Sequence, residues 1–342
     1  MFDIETLLEN SLNLAFLPTP IENHTRLSNK YSVNFSIKRD DLTESIIGGT
    51  KLRLLEYVLK DAVNQGITDL ITIGDIYSNQ CRIVTQLTKK FDMNAHLFIN
   101  SNGQNYGSSM EENLFISYLA GASITYLSGN DWKFYSLKVE RLKKQLIKNK
   151  RMPLFIQSGI AGLPGSLGII KMVREIFLQN DNSFPYTHII TPVGSAGTLF
   201  GLDLAFYLLP ELKTVKRPIL IGVSIFENKS KIEGILDRYY SDFNKKVLLN
   251  LSKSQNILLN CDYIGSDYHI ITEDKCLALI RFVREYGLLL DPYYCLIPML
   301  GTINLIEKKI IKSGSNILFI MTGQPYGLFS NRTELLRMVK NT

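Results

Sequence analysis

Short runs of apolar, mostly β-branched residues alternate along the chain with longer segments whose apolar residues recur at helical spacing. The short runs predict strands at Phe35–Lys38, Leu70–Ile73, His96–Ile99, Ser123–Tyr126, Leu154–Ile156, His188–Thr191, Ile219–Val223 and Ile317–Met321. The longer segments predict helices at Leu52–Asn64, Ser78–Lys90, Glu111–Leu119, Gly165–Leu178, Thr198–Leu208, Asp274–Tyr286 and Gly301–Ile311. Such alternation is typical of βαβ units. It predicts an α/β fold with open, twisted, mostly parallel sheets and flanking helices.

The length of the chain favours two domains. Single domains mostly have about 100–200 residues, and this chain has 342. We find no internal repeat and no low-complexity linker between halves of the sequence. A second domain is therefore expected to be inserted into the first rather than appended to it.

The charge balance first suggests a polyanionic partner, because 38 basic residues face 32 acidic ones, a net charge of +6. The densest basic patch lies among apolar residues at helical spacing and comprises Lys138, Arg141, Lys143, Lys144, Lys148, Lys150 and Arg151. We interpret it as the solvated face of an amphipathic helix. No zinc-finger spacing, RNP-like motif or basic tail supports nucleic-acid binding, so no nucleic-acid partner is expected.

The cysteines and apolar runs predict the location of the protein. The four cysteines are widely scattered, with no C-x-x-C pair or Cys/His cluster, so no metal site is expected. Sparse cysteine use fits a reducing cytosol. The first residues carry acids where a signal peptide would carry lysines. No apolar run reaches the roughly 18–20 residues that span a bilayer. We therefore expect a cytoplasmic protein with no membrane partner.

Ligands of parallel sheets bind where strands end and helices begin, and one such junction carries a lysine. Gly48 and Gly49 precede Thr50 and Lys51 at the start of a predicted helix. A cation opposes the dipole at a helix N-terminus. Lys51 is thus expected to be a surface lysine, or else neutral, covalently modified or paired with an anionic ligand. The spacing of a P-loop is absent.

Two other strand–helix junctions carry groups that can bind an anion. Gly194, Ser195, Gly197 and Thr198 follow a predicted strand and lead into a helix, which predicts a cradle for one phosphate. The spacing of a dinucleotide site is missing. Ser78 and Asn79 also begin a helix. There the sequence leaves two interpretations open, simple capping of the helix or binding of a carboxylate.

A lysine on a glycine-rich loop, a phosphate cradle and strand ends bearing hydroxyl groups together point to pyridoxal phosphate. The lysine would form the Schiff base and the cradle would hold the phosphate. Histidine offers no competing catalytic arrangement, because no Ser-His-Asp or Cys-His pairing is legible around His24, His96, His188 and His269.

Several segments of the chain are similar to one family of enzymes that use this cofactor. In order, they read LPTPIENHTRLS, IKRDDLTESIIGGTKLRLLEY, TIGDIYSNQCR, GLPGSLGI, PVGSAGTLFGL, LLLDPYYC and IMTGQPYGLF. From Leu17 to about Phe329 the chain resembles the D-cysteine desulfhydrase and 1-aminocyclopropane-1-carboxylate (ACC) deaminase group. That group has the tryptophan synthase β-type fold, fold type II.

The resemblance implies a role for each site residue. The residues toward the substrate would be the Schiff-base lysine Lys51, Ser78 at the substrate carboxylate, and the tyrosines Tyr268 and Tyr294. Those toward the cofactor would be Asn79 at the pyridoxal hydroxyl, Thr322 near the pyridine nitrogen, and the phosphate cradle of Gly194, Ser195, Ala196, Gly197 and Thr198.

The resemblance also implies the domain arrangement. Residues 1–53 and 166–342 would form a large cofactor-binding domain, and residues 54–165 a smaller inserted α/β domain. The cofactor would lie in the cleft between them, and the domains would close on a small amino-acid substrate. A homodimer is expected.

Departures from the family cluster around the expected substrate pocket. The family usually has Asn at Thr50, and Gly and Gln at Asp75 and Tyr77. At Cys295 the ACC deaminases carry Glu and the desulfhydrases Thr, and Gln324 also departs from the desulfhydrase pattern. The lysine and the phosphate cradle are intact.

The resemblance implies Cys295 and the neutral Thr322, rather than a carboxylate, near the pyridine nitrogen. ACC ring opening needs the ring to store electrons, which a carboxylate there supports. Elimination depends less on this storage and is therefore favoured. Our leading hypothesis is desulfhydrase-like α,β-elimination from a small amino acid of D configuration, giving an α-keto acid, ammonia and, from cysteine, sulfide. Lys51 would act as the base. The alternatives are ACC ring opening, a specialised biosynthetic lyase or β-replacement enzyme, and a degenerate, non-catalytic cofactor-binding protein.

Overall fold

Two open sheets form the framework of the protein, whose computed structural model describes residues 3–101, 112–263 and 271–341. The strands are β1 (Ile21–Asn23), β2 (Asn34–Lys38), β3 (Asp69–Asp75), β4 (Asn94–Asn100), β5 (Ser123–Leu127), β6 (Pro153–Ile156), β7 (His188–Val193), β8 (Ile219–Ser224), β9 (Ile257–Asn260) and β10 (Asn316–Ile320). The large sheet has the order β1-β2-β10-β7-β8-β9, and the small sheet the order β5-β4-β3-β6.

The pairing confirms the expected α/β fold with mostly parallel sheets. Every pair of neighbouring strands in the two sheets is parallel except β1 with β2. The strands of the small sheet all come from the chain between β2 and β7. This arrangement agrees with an inserted unit, and the division into 1–53 with 166–342 and 54–165 stays a prediction. The predicted boundary at 54 falls inside a helix.

The helices that connect these strands follow most of the predicted periodicities. They are α1 (Ile4–Glu9), α2 (Thr25–Tyr31), α3 (Thr50–Asn64), α4 (Asn79–Lys90), α5 (Glu112–Leu119), α6 (Gly129–Lys133), α7 (Tyr135–Lys148), α8 (Leu167–Gln179), α9 (Gly197–Leu208), α10 (Lys229–Val247), α11 (Glu273–Arg281), α12 (Leu296–Glu307), α13 (Gly327–Ser330) and α14 (Arg332–Asn341). A π-helical turn, Phe282–Tyr286, continues α11, and α12 begins five residues before the predicted Gly301.

Helix α10 was missed by the sequence analysis although its signal was present. Ile232, Leu236, Tyr240 and Phe243 recur at helical spacing and are the buried residues of this helix. The many charged residues between them hide the pattern. The strands β1 and β9 were also missed, because each has only three or four residues.

Helix α3 lies where the two sheets meet. One apolar cluster contains Leu70 of the small sheet, Ile189 and Leu318 of the large sheet, and Leu55 of α3. The helix also carries Arg53, whose buried guanidinium forms ion pairs with Asp40 and Glu175. The start of α3 is therefore anchored by both apolar packing and buried charge.

The basic patch lies on α7 and just beyond it. Val139 and Leu146 of this helix are buried, as expected for an amphipathic helix. Lys143 forms an exposed ion pair with Glu140, and Lys138 with Asp131. The patch is thus a partly neutralised, solvated surface. In the part of the chain that the structure describes, no helix combines the length and the apolar character needed to cross a membrane.

Candidate functional site

A cleft of about 490 Å³ opens at the carboxyl ends of strands from both sheets. Its wall includes the predicted residues Lys51, Ser78, Asn79, Gly194, Ser195, Ala196, Gly197, Thr198, Tyr294 and Thr322. These positions are far apart in the sequence, and the fold brings them to one place. Tyr268 lies outside the described residues, so its role stays a prediction.

Lys51 is held at the start of α3 by a close approach between two glycine-containing segments. Gly49 has a φ of +124° and forms an isolated bridge with Gly323. A Cβ at position 49 would lie 2.8 Å from the Thr322 carbonyl oxygen. The Thr50 amide donates to that same oxygen at 2.9 Å. Glycine is therefore required here both by conformation and by space.

The amine of Lys51 is poised for nucleophilic chemistry. Its Nζ donates to the carbonyl oxygen of Gly159 at 2.9 Å. Among residues 3–101, 112–263 and 271–341, no carboxylate forms an ion pair with it. Burial lowers the pKa of Lys51 to about 8, because the charged form loses its hydration. A substantial share of this amine is therefore neutral near physiological pH, as a nucleophile or base requires.

The segment from Gly194 to Thr198, the predicted anion cradle, lies at the N-terminus of α9. Ala196 adopts the left-handed conformation with a φ of +61°. The Ser195 carbonyl accepts a hydrogen bond from the Tyr239 hydroxyl at 3.0 Å, which fixes the turn. Backbone N–H groups at such a turn, together with the helix dipole, favour a bound phosphate.

A turn that the sequence analysis missed joins the lysine to the cradle. Gly159 accepts the Lys51 hydrogen bond through its carbonyl and donates its N–H to Gln80 Oε1 at 2.8 Å. Its φ is +89°, and any Cβ there would overlap the side chain of Ser195. The glycine thus lets the turn, the lysine and the cradle touch one another. A glycine after a predicted strand, in Ser158-Gly159, was the available signal.

Replacing Gly159 with alanine should disrupt the cradle. We expect cofactor affinity to fall at least about tenfold, because the new methyl group must displace Ser195. Titration of the cofactor-free protein with cofactor measures this. Gly162→Ala is the matched control, since its φ is +84° and its added Cβ would meet no atom within 4 Å. It should cost only about 1 kcal/mol of stability. Equal cofactor affinity in both variants would contradict the assignment.

Ser78 caps α4, Asn79 begins it, and both residues line the cleft. Ser78 Oγ caps the helix by accepting from the Cys81 amide at 3.2 Å, and the same residue lines the cleft. The side-chain oxygen of Asn79 accepts from Asn113 Nδ2 at 3.2 Å and from Arg82 at 3.3 Å. Its amide nitrogen is therefore the group left to donate to a ligand oxygen.

Arg82, one turn along α4, is a buried support that the sequence analysis missed. Its guanidinium donates to Asn113 at 2.7 Å and to the Ile46 carbonyl, and it stacks on the Tyr326 ring at 4.6 Å. Burial lowers the pKa of Arg82 to about 10. Gln324 donates in turn to the Glu44 and Ser45 carbonyls, each at 2.8 Å. Arg82 thus ties α4 to the glycine-rich loop before Lys51.

One wall of the cleft is set by a buried carboxyl group. Asp291 accepts the backbone N–H groups of Tyr293 at 3.0 Å and Tyr294 at 2.5 Å, which turns Tyr294 toward the cleft. Burial raises the pKa of Asp291 to about 6. The neighbouring Cys295 is fully buried, which raises the pKa of its thiol, and its Sγ lies 3.8 Å from the Gly323 carbonyl.

This wall also contains the buried hydroxyl of Thr322. Thr322 Oγ1 is shielded from solvent and makes no hydrogen bond to the described residues. A buried polar group without a partner is costly, so such an atom marks a place where a ligand atom fits. With the Lys51 amine, the Asn79 amide and the anion cradle, it completes a set of groups that suits pyridoxal phosphate: an amine, N–H donors for the phosphate, and polar contacts for the ring.

Comparison with known proteins places the chain among enzymes of this kind. The sequence model described as "Pyridoxal-phosphate dependent enzyme" matches residues 12–323. A bifunctional, mitochondrial D-cysteine desulfhydrase/ACC deaminase of Arabidopsis thaliana is 27% identical, covering 99% of this chain and 84% of that one. A putative ACC deaminase of Pyrococcus horikoshii is 30% identical, covering 94% of each chain.

Solved structures agree with these relatives. The crystal structure of an ACC deaminase homologue superposes with a TM-score of 0.85 at 28% sequence identity. The match covers 99% of this chain and 100% of the other. The similarity therefore extends over both sheets and the cleft between them.

Proposed function

Because the chain belongs to the family of pyridoxal-phosphate dependent enzymes, we propose that it is a lyase that carries out α,β-elimination on a small amino acid of D configuration. The products would be an α-keto acid, ammonia and, from cysteine, sulfide. The observation that carries this proposal is the amine of Lys51, which faces the same cleft as the anion cradle of Gly194–Thr198. The names of the relatives support the substrate class.

Different residues of the cleft would hold different parts of the cofactor. Lys51 would bond covalently to its aldehyde, the cradle would bind its phosphate, and Asn79 and Thr322 would contact its ring. When bound, pyridoxal phosphate supplies a conjugated ring that withdraws electrons from the α-carbon of an amino acid. All other steps depend on side chains of this chain.

Three of these side chains would serve the substrate. Ser78 and the N–H groups of the first turn of α4 would orient the substrate carboxylate. The Lys51 amine would take the α-proton, which its lowered pKa favours at neutral pH. Tyr294 would donate a hydrogen bond or a proton to the departing group.

Elimination is preferred to ring opening because of Cys295. This thiol occupies the position at which the resembled ACC deaminases carry Glu, and burial raises its pKa, so it stays neutral. Elimination places less demand on the ring, because the leaving group removes the electron pair. ACC deamination remains the second candidate because both of the relatives described above carry that name.

A substrate screen tests the proposal. The purified holoprotein is incubated with D-cysteine, D-serine, β-chloro-D-alanine and ACC, and with the L enantiomers, while keto acid and ammonia are measured. We expect keto acid from at least one D compound with a leaving group at the β-carbon. Release of 2-oxobutyrate from ACC alone would favour the second candidate. No turnover of any compound, despite bound cofactor, would contradict a catalytic role.

The lowered pKa of Lys51 also predicts a pH dependence for cofactor loading. An amine reacts with an aldehyde only in its neutral form, so the rate should rise with pH and reach half its maximum near pH 8. An unperturbed lysine would place this midpoint near 10.5. Stopped-flow absorbance of cofactor-stripped protein mixed with pyridoxal phosphate gives the profile. A midpoint above 10 would show that burial does not perturb this amine.

We also propose that the protein forms a homodimer and is located in the cytoplasm. A homodimer would agree with the resemblance, and light scattering of the holoprotein measures it. A cytoplasmic location would agree with Cys81, Cys261, Cys276 and Cys295, which are all free thiols. Imaging of a tagged chain in its own cell tests the location.

A further inference from the structure

A buried glutamine in the first turn of α4 connects the small sheet to the amine of Lys51. Gln80 lines the cleft, but only 6% of its surface is exposed to solvent. The proposed elimination gives its side chain no role. The hydrogen bonds of this side chain reach Lys51 through one residue, Gly159.

The carboxamide of Gln80 has a defined orientation. Its Nε2 donates to Thr72 Oγ1 and to the Gln157 carbonyl, both at 2.9 Å, and its Oε1 accepts the Gly159 N–H at 2.8 Å. A backbone carbonyl can only accept a hydrogen bond, and a backbone N–H can only donate one. The two ends of the carboxamide therefore cannot exchange places without losing both backbone contacts.

The donor end of this carboxamide is anchored to the small sheet. Thr72 of β3 and Ile156 of β6 are direct partners in the parallel ladder, and Thr72 Oγ1 donates to the Ile156 carbonyl at 2.9 Å. Gln157, whose carbonyl is the other acceptor, directly follows β6. Two strands thus hold one end of the Gln80 side chain, so its other end presents a fixed oxygen to Gly159.

Gly159 carries this fixed position on to the lysine. Its N–H is bound by Gln80, and its carbonyl accepts from Lys51 Nζ at 2.9 Å. Within residues 3–101, 112–263 and 271–341, this carbonyl is the one hydrogen-bond partner of the amine. Both groups belong to the same residue, so fixing the N–H restricts where the carbonyl lies. A displacement of Gly159 would therefore displace the acceptor of the amine.

A carbonyl acceptor suits an amine that must react. A neutral amine has two N–H bonds and one lone pair, and a carbonyl oxygen can bind only an N–H. The lone pair of Lys51 is therefore left free to attack an aldehyde or to take a proton. A hydroxyl group in the same place could donate to the lone pair and block it.

We propose that Gln80 is a positioning residue that holds the amine of Lys51 in place for reaction, acting through the carbonyl of Gly159. This inference rests on the part of the proposed function that assigns Lys51 to the cofactor. It does not depend on the substrate or on the reaction that follows, because a nucleophile or base must be correctly placed for each of them.

Two ligands separate the position of the amine from binding in the cleft. Pyridoxal phosphate can bond to Lys51, whereas pyridoxine phosphate has the same ring and phosphate group but no aldehyde. Stopped-flow absorbance of the full chain, stripped of cofactor and mixed with pyridoxal phosphate, gives a limiting rate constant for bond formation. Calorimetry gives the affinity for pyridoxine phosphate. Each rate constant is taken above the pH midpoint of its variant, where Lys51 is neutral.

Four variants of the chain are compared. Gln80→Met removes all three hydrogen bonds at a similar side-chain volume. Gln80→Asn is the second such variant, because it keeps a carboxamide but is one carbon too short for the same contacts. Gln80→Glu keeps an oxygen that can accept the Gly159 N–H in either protonation state. Thr72→Val is the control, since it removes one bond to the carboxamide and leaves the contact with Gly159.

We expect Gln80→Met and Gln80→Asn to lower the limiting rate constant at least about tenfold, because a misplaced amine reacts slowly. Their affinity for pyridoxine phosphate should stay within about threefold of wild type, since the groups that bind the ring and the phosphate are unchanged. Gln80→Glu should restore the rate constant to within about threefold, and Thr72→Val should keep it within about twofold.

The remaining outcomes contradict the positioning role. An unchanged rate constant in Gln80→Met or Gln80→Asn, an equal loss in Thr72→Val, or no rescue in Gln80→Glu would each overturn it. So would an equal loss of affinity for pyridoxine phosphate, which would show that Gln80 supports the whole cleft. If the wild-type chain binds pyridoxal phosphate without a covalent bond to Lys51, the proposed function fails as well.

Discussion

Replacing Lys51 with alanine should abolish the absorbance of the covalently bound cofactor and lower kcat for keto-acid production by a factor on the order of 10³ or more. The reason is that the same amine is expected to bind the cofactor covalently and to act as the base. It lies within 2.9 Å of Gly159 in the wall of the cleft, its pKa is lowered to about 8, and no carboxylate of the described lining neutralises it. Alanine supplies neither a nucleophile nor a base.

The measurement is an absorbance spectrum of the protein purified with excess pyridoxal phosphate, followed by the keto-acid assay. Lys143→Ala is the control, because the amine of Lys143 is occupied by Glu140 at 2.8 Å on the surface of α7. Borohydride reduction and peptide mapping of the unmodified protein should place the cofactor on Lys51. A full cofactor spectrum in Lys51→Ala, or a label on another lysine, would contradict the assignment.

The largest effect on stability is expected at Asp40. This buried carboxylate accepts from Arg53 Nε and from a terminal nitrogen of the same guanidinium, each at 2.9 Å, and from Thr50 Oγ1 at 3.2 Å. Glu175 and Lys38 complete the buried group, so two cations face two anions. Asp40→Ala would leave one positive charge uncompensated in the core, which costs about 3–5 kcal/mol.

Urea unfolding of wild type and variant at pH 7 gives this difference in free energy. Glu140→Gln is the control: it breaks the exposed pair with Lys143 and should change stability by less than about 1 kcal/mol. Because Thr50 directly precedes Lys51, Asp40→Ala should also weaken cofactor binding. A loss of stability below 1 kcal/mol would show that the buried charges rearrange without Asp40.

Much of the candidate site was predictable because it is composed of local motifs. Lys51 follows two glycines at a helix start, and Gly194–Thr198 follows a strand, so short stretches of sequence carry the chemistry. The order of strands and helices was also predictable, since the periodicity of apolar residues reflects which face of each element is buried. Helix α10 was not predicted, because charged residues separate its four buried residues and obscure the helical spacing.

Gly159, Arg82 and Gln324 could not be assigned from sequence because their roles depend on contacts between distant segments. Gly159 matters because its backbone touches both Lys51 and Ser195. Arg82 matters because Ile46 and Asn113, from different parts of the chain, converge on its guanidinium. Nothing in the neighbouring residues encodes these contacts.

The sequence by itself determined the α/β class and the kind of cofactor, and it predicted the lysine and the anion cradle, because each depends on the periodicity or the residue types of a short segment. Only the tertiary structure decided that Lys51 is desolvated, that the buried hydroxyl of Thr322 has no hydrogen-bond partner among the described residues, and that Asp75 faces the same cleft as the cradle. Desolvation, hydrogen bonding and electrostatic interaction depend on distances through space, and folding sets these distances between residues that are far apart along the chain.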